Sequence, residues 1–168
     1  MPWNAASRSR RAMPTEPTLR LITFQLRQNW FCLPLELARK VVPYQTETST
    51  NGFLRLQEET IPLLDVARLI YTNTPQLPAA SPSEPVETIS SIATNVLIAD
   101  LPRQGTIGLL IEGTPAMRRV TRSAFAPVPP MYVTMNHMQG INVLVSEQDA
   151  EPPMFLLELE KLMIIGGY

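Results

Sequence analysis

Cysteine and histidine are nearly missing from this chain, which holds one of each, Cys32 and His137, in 168 residues. A single cysteine excludes an intramolecular disulfide and fits a reducing compartment. It also leaves no standard zinc site, since zinc needs clustered Cys, His and carboxylate ligands. Cys32 lies in "WFCLP", where a small buried hydrophobe is the expected role. No local motif supports a Cys32–His137 nucleophilic pair, and His137 reads as a solvated loop residue. Glycine is sparse too, seven residues in all, and "IGLLIEG" lacks the lysine and helix start of a phosphate loop. The adjacent carboxylates Glu58 and Glu59 fall at an expected turn, where solvation accounts for them. These absences argue against an enzyme and call for no cofactor or metal.

Long apolar runs are absent as well. No window approaches the roughly 18 apolar residues that span a bilayer. The opening "MPWNAASRSRRAMPTEP" has bases but no apolar centre, so it is not read as a secretory signal, and the expected location is the cytoplasm. Lysine is limited to Lys40 and Lys161, and every other base is arginine. Arginine suits cations that fork onto carboxylates within interfaces. The net charge is −1, and three of the bases (Arg8, Arg10 and Arg11) sit in the first seventeen residues. The remaining body is acidic, which predicts no steering toward nucleic acid or anionic membrane.

What is present is a 45% hydrophobic composition in a chain of one-domain length. Such a chain buries roughly two-thirds of its unfolded surface and needs no staple. Residues 1–17 carry Pro, Ser, Ala and Arg without periodicity and read as a disordered basic tail. From 18 to 166 the pattern is that of a folded domain. In "LRLITFQL" (19–26) Ile22, Phe24 and Leu26 alternate with polar residues, the period of a half-buried strand. "WFCL" (30–33) returns beside it as a hairpin, followed by a short helix expected in "PLELARKVV". The plan recurs at 52–57 with 60–64, at 95–100 with 106–111, and at 141–145 with 154–157. Each hairpin hands over to an acid, in turn Glu36, Asp65, Glu112 and Glu158.

"LLDVARLI" from Leu63 and "LLELEKLM" from Leu156 share one pattern of apolar pair, acid, apolar, any residue, base and apolar pair. An acid at a strand–helix junction accepts N–H bonds that the helix cannot satisfy and faces its positive end. A base three residues on can pair with it. The repeat therefore reads as punctuation of the fold, not as catalysis. Residues 72–95, with Pro75, Pro78, Pro82 and Pro85, read as a long irregular loop, and 126–140 as a second one. Four hairpins divided this way predict an all-β protein with short helices, built as two small barrels packed together.

Two stretches look like contact surfaces. "MYVTMNHM" sets Met131, Met135 and Met138 around Tyr132, and flexible thioethers with an aromatic suit an adaptable interface. "MRRVTR" offers Arg118, Arg119 and Arg122 to a partner's carboxylates.

The segments "LITFQLRQNWFCLPLELARKVVP", "GFLRLQEETIPLLDVARLI", "IGLLIEGTPAMRRV" and "MFLLELEKLM", in that order from about 19 to 164, resemble the CheW-like domain of bacterial chemosensory systems. The resemblance implies two five-stranded SH3-like β-barrel subdomains and a non-enzymatic scaffold. It implies partners too, namely the regulatory domain of a CheA-type histidine kinase and the tips of methyl-accepting chemoreceptors. Contact would run through barrel edges and the groove between subdomains, with no membrane insertion and no nucleic acid. Self-association through barrel edges is compatible with the same design. Where the family carries Asn-Leu-Arg-Gly, this chain has Arg55-Leu56-Gln57-Glu58. Gln57 thus replaces an arginine associated with partner contact, and Arg55, two residues earlier on one strand face, is the expected substitute. With Ile61, these join the 118–122 arginines and the Met131–Tyr132–Met135 group as candidate contact residues. The alternative is a repurposed barrel that binds another protein complex or single-stranded nucleic acid. Nucleic acid would require a basic groove with stacking aromatics.

Overall fold

The computed structural model describes residues 15–47, 49–71, 93–136, 138–147 and 152–166. His137 and most of the loop from 72 lie outside them. Among the described residues eleven strands and three short helices follow one another; the four expected hairpins supply eight of the strands, and β3, β4 and β9 are additional. The first half runs β1 (Thr18–Leu26), β2 (Asn29–Pro34), a 3-10 turn (Leu35–Leu37), β3 (Ala38–Pro43), β4 (Ser49–Thr50), β5 (Phe53–Leu56), β6 (Glu59–Leu64) and α1 (Val66–Ile70). The second runs β7 (Asn95–Leu101), β8 (Gly105–Thr121), a 3-10 turn (Arg122–Ala124), β9 (Phe125–Pro127), α2 (Pro130–Asn136), β10 (Val143–Val145), β11 (Met154–Leu156) and α3 (Leu159–Gly166).

The strands sort into two subdomains. One contains β1, β2, β9, β10, β11 and the end of β8; the other contains β3 to β7 and the start of β8. Each subdomain has its own small core. Leu21, Cys32, Val120, Ala124, Val145 and Met154 fill the first. Leu54, Ile61, Leu63, Val96, Ile98 and Leu110 fill the second. A third and larger cluster joins them, with Phe24, Phe31, Leu33, Leu97, Leu109, Ile111 and Phe155 among its members. This arrangement explains "WFCL", "NVLIA" and "IGLLI". A strand buried on both faces loses the polar alternation of a half-buried one. Thus Cys32 faces its own subdomain's core while Phe31 and Leu33 face the joint between subdomains. Each such side chain contributes roughly 1.5–3 kcal/mol by leaving water.

Among the described residues the strand ladders stay open and do not close into barrels: β4 and β9 end the main path, and β3 pairs with β7 alone. Across one opening Arg39 donates from two nitrogens to the Glu59 carboxylate, at 3.1 and 3.4 Å. Arg39, three residues after the acid Glu36, therefore pairs with the β5–β6 hairpin and not with Glu36.

Strand β8 departs most from the sequence pattern. A turn or helix was expected after Glu112; instead the strand continues to Thr121. It bends at Gly113, where φ is +66°, and its pairing passes from β7 to β1. Gly113 is clamped there, its N–H donating to Thr94 Oγ1 at 2.9 Å and its carbonyl accepting from Asn95 Nδ2 at 2.7 Å. Glu112 accepts the Arg27 backbone N–H at 2.8 Å, so it caps a turn of another strand rather than a helix. The free edge of β1 offered residues 116–121 more backbone bonds than a lone turn of helix would. The helix expected after Pro34 likewise shrinks to one 3-10 turn, because Val41 and Val42 pair with β7. The irregular stretch 126–140 contains β9 and α2.

The octet repeat is only partly one device. Asp65 accepts the Arg68 N–H at 3.0 Å and caps α1 as expected. Glu158 instead gives its carboxylate to the side chains of Lys161 and Asn142.

Candidate docking surfaces

The candidate residues occupy three elements in two subdomains and do not converge on one site. On the β5–β6 hairpin Arg55 is exposed opposite Thr60. Phe53 shares its strand face and is 47% exposed, an aromatic that the sequence reading passed over. Gln57 is not in strand register with Arg55. It opens the two-residue turn at φ +54°, so the two residues do not share a strand face as expected. Ile61 is 2% exposed, packed in the second subdomain's core, and offers no docking surface. An open cleft of about 490 Å³ lies beside this hairpin, lined by Arg39, Lys40, Leu56, Gln57, Glu58 and Glu59.

The second group lies near the end of β8. Arg119 and Arg122 are exposed and Arg118 is half-buried. Met117, just before them, is 72% exposed.

The third group is α2. Met131 and Met135, one helical turn apart, are 62% and 74% exposed. Tyr132 holds the helix down, its ring meeting Phe155 of β11 edge-on at 6.4 Å. Met138 does not belong to this surface; it is buried in the central cluster. The two exposed thioethers form an apolar face, anchored by a ring that reaches the core.

Sequence reasoning did not anticipate which residues would line the groove between the subdomains. It measures about 390 Å³ and is walled by Pro34, Leu37, Leu101, Pro102 and Leu156–Lys161. Its walls come from five separate elements. At its rim the Glu158 carboxyl is held below its usual range, chiefly by the hydrogen bond from Lys161, with Asn142 adding to it. That fixes a negative charge beside an apolar trough.

Little chemistry is available. Burial pushes the Cys32 thiol up to about 12, so it stays protonated and shielded. Among the described residues no cluster of three His, Cys, Asp or Glu side chains is placed to hold a metal ion. No described helix is long and apolar enough to cross a membrane.

Two barrel-like subdomains joined by a shared long strand, with open edges and an apolar trough between them, define the comparison. The family model "CheW-like domain" matches residues 20–164. This chain belongs to the CheW-like domain family. Its fold is similar to that of the crystal structure of scaffolding protein TtCheW from Thermoanaerobacter tengcongensis, with a TM-score of 0.60 and 13% identity, covering 90% of this chain and 97% of that one. No curated protein sequence matched. At that level of identity the pairwise likeness speaks for the fold, and the family assignment rests on the match over both subdomains.

Proposed function

We propose that this CheW-like protein is a non-enzymatic adaptor coupling chemoreceptor tips to the regulatory domain of a CheA-type histidine kinase, in a chemotaxis or pilus-linked motility system. The family match across residues 20–164 carries this reading, since it spans both subdomains and the strand that joins them. The surfaces support it. An adaptor needs two contact regions on a rigid body, and the first subdomain offers the Met131–Met135 face while the second offers Phe53 and Arg55. The mechanism is geometric. The groove and edges hold two partners in fixed relation, and the shared core transmits a displacement of one to the other. Such an adaptor works in the cytoplasm beside membrane-bound receptor arrays without entering the bilayer.

The test is calorimetric titration of the full chain with a purified kinase regulatory domain and, separately, with a receptor-tip fragment. Micromolar binding is expected for the kinase domain, weakened at least tenfold by Met135→Glu or by Arg55→Glu. Absence of binding to both partners at high micromolar concentration would remove the adaptor reading.

A further inference from the structure

Arg20 of β1 and Arg119 of β8 stand directly opposite each other in the antiparallel register. Side chains in that relation project from the same face with Cβ atoms about 5 Å apart, and like charges so placed repel. Both are exposed, and among the described residues neither guanidinium has a hydrogen-bond or ion-pair partner. The next register step on that face pairs Ile22 with Met117. Ile22 is buried and Met117 stands almost bare. A facing arginine pair with an exposed thioether beside it is thus set on a body whose remaining charge is negative.

A second observation concerns the backbone. At Glu112 and again from Ala116 to Thr121 β8 pairs with β1 along one edge, with an irregularity between, and among the described residues no strand pairs with its other edge over this stretch. Thr114, Ala116, Met117 and Arg119 are exposed along it. Pro115 sits at its start, and proline within sheets is confined to edges, strand starts and bulges. An open edge offers a row of N–H and C=O groups to an added strand, while the side chains beside it select which strand is accepted.

We propose that the outer edge of β8, from Thr114 to Thr121, takes an extended acidic segment of another protein as an added strand. One acid of that segment lies against Arg119 and Arg20, and an apolar residue two positions away covers Met117. The commitment to an acidic partner rests on charge complementarity. A guanidinium pair with no ion-pair partner among the described residues is relieved by a carboxylate, and guanidinium–carboxylate pairs are directional and often bidentate. The commitment to an extended partner rests on the free edge, since alternate residues of a strand return to one face every second position. This surface is distinct from the Met131–Met135 face and from the groove, and it does not depend on which kinase or receptor is bound.

The experiment uses the full chain and a fluorescent eight-residue peptide of threonine and valine carrying glutamate and leucine two positions apart, with a glutamine-for-glutamate peptide as its counterpart. Anisotropy is expected to show saturable binding of the acidic peptide, at least tenfold weaker for the glutamine peptide and weakened by raised salt. Arg20→Glu with Arg119→Glu is expected to remove the preference while circular dichroism stays unchanged, whereas Arg55→Glu leaves binding intact. Amide exchange is expected to slow at residues 116–121 when the acidic peptide is bound. That readout keeps the test decisive if the charge-reversed protein folds poorly. Equal binding of both peptides, no binding at millimolar concentration, or protection confined to another strand overturns the proposal. So does tighter binding of an anionic vesicle or an oligonucleotide at the same arginines.

Discussion

Gln139 closes the end of α1 from the other subdomain: its backbone N–H donates to the Ile70 carbonyl at 2.9 Å and its side-chain amide to the Leu69 carbonyl at 2.8 Å. A helix of five residues cannot satisfy its own last carbonyls. Here the loop after α2 supplies the missing donors and fastens the two subdomains together.

Gln139→Ala is therefore expected to cost about 1–2 kcal/mol, the loss of one partly buried hydrogen bond and the orphaning of its acceptor. Thermal unfolding measures the loss. Amide exchange at Ile70 and Tyr71 is expected to quicken first, because the change loosens the joint before either core.

Tyr71 is a second fastening. Its hydroxyl accepts from Asn29 Nδ2 at 2.7 Å, and the Arg27 guanidinium lies 4.4 Å from its ring centroid. Its pKa is raised, first by burial and also by the Glu112 charge, against the lowering by the Asn29 bond and Arg27. Tyr71→Phe keeps the ring and strands the Asn29 amide, so a loss of about 1 kcal/mol is expected. Tyr71→Ala, which also removes the edge-on contact with Phe31 at 6.5 Å, is expected to cost at least about 3 kcal/mol. Chemical denaturation of the pair separates the two contributions.

Alkaline pH is expected to destabilise the fold through Cys32. Its folded pKa, about 12, lies above its ordinary value of 9.0, so above pH 9 the unfolded chain binds fewer protons and stability falls as pH rises. The loss attributable to this thiol is about 1 kcal/mol at pH 10. Cys32→Ala is expected to flatten that part of the pH–stability curve. In the native protein the thiol is expected to resist a disulfide reagent at pH 8 and to react at the rate of unfolding.

Gly108→Ala is expected to destabilise by about 1–3 kcal/mol, as overpacking of a tight core does. A Cβ there would stand 2.9 Å from both Leu63 Cδ2 and Val96 Cγ1. Adding Val96→Ala is expected to recover part of the loss if crowding is the cause, and a thermal-unfolding comparison of the single and double variants reads it out.

The hairpins were legible because each strand pair is local and its turn chemistry lies in the sequence. Even so, Asn51-Gly52, with φ +52° and +79°, joins β4 to β5 and escaped notice. Asn-Gly is a strong hairpin signal, and its flanking strand is only two residues long. The docking residues were less legible. Ile61 and Met138 look like their exposed counterparts in sequence, and only packing separates Ile61 from Phe53 or Met138 from Met135.

Sequence alone determined the all-β character, the order of hairpins, the capping role of Asp65 and the near-absence of reactive groups. Each of these follows from local periodicity or from composition. Tertiary structure decided that β8 runs on past Gly113 to pair with β1, that Arg20 faces Arg119, and that Gln139 completes α1. Those outcomes depend on backbone donors and free edges supplied by residues far away in the chain, and no local pattern records which of them will meet.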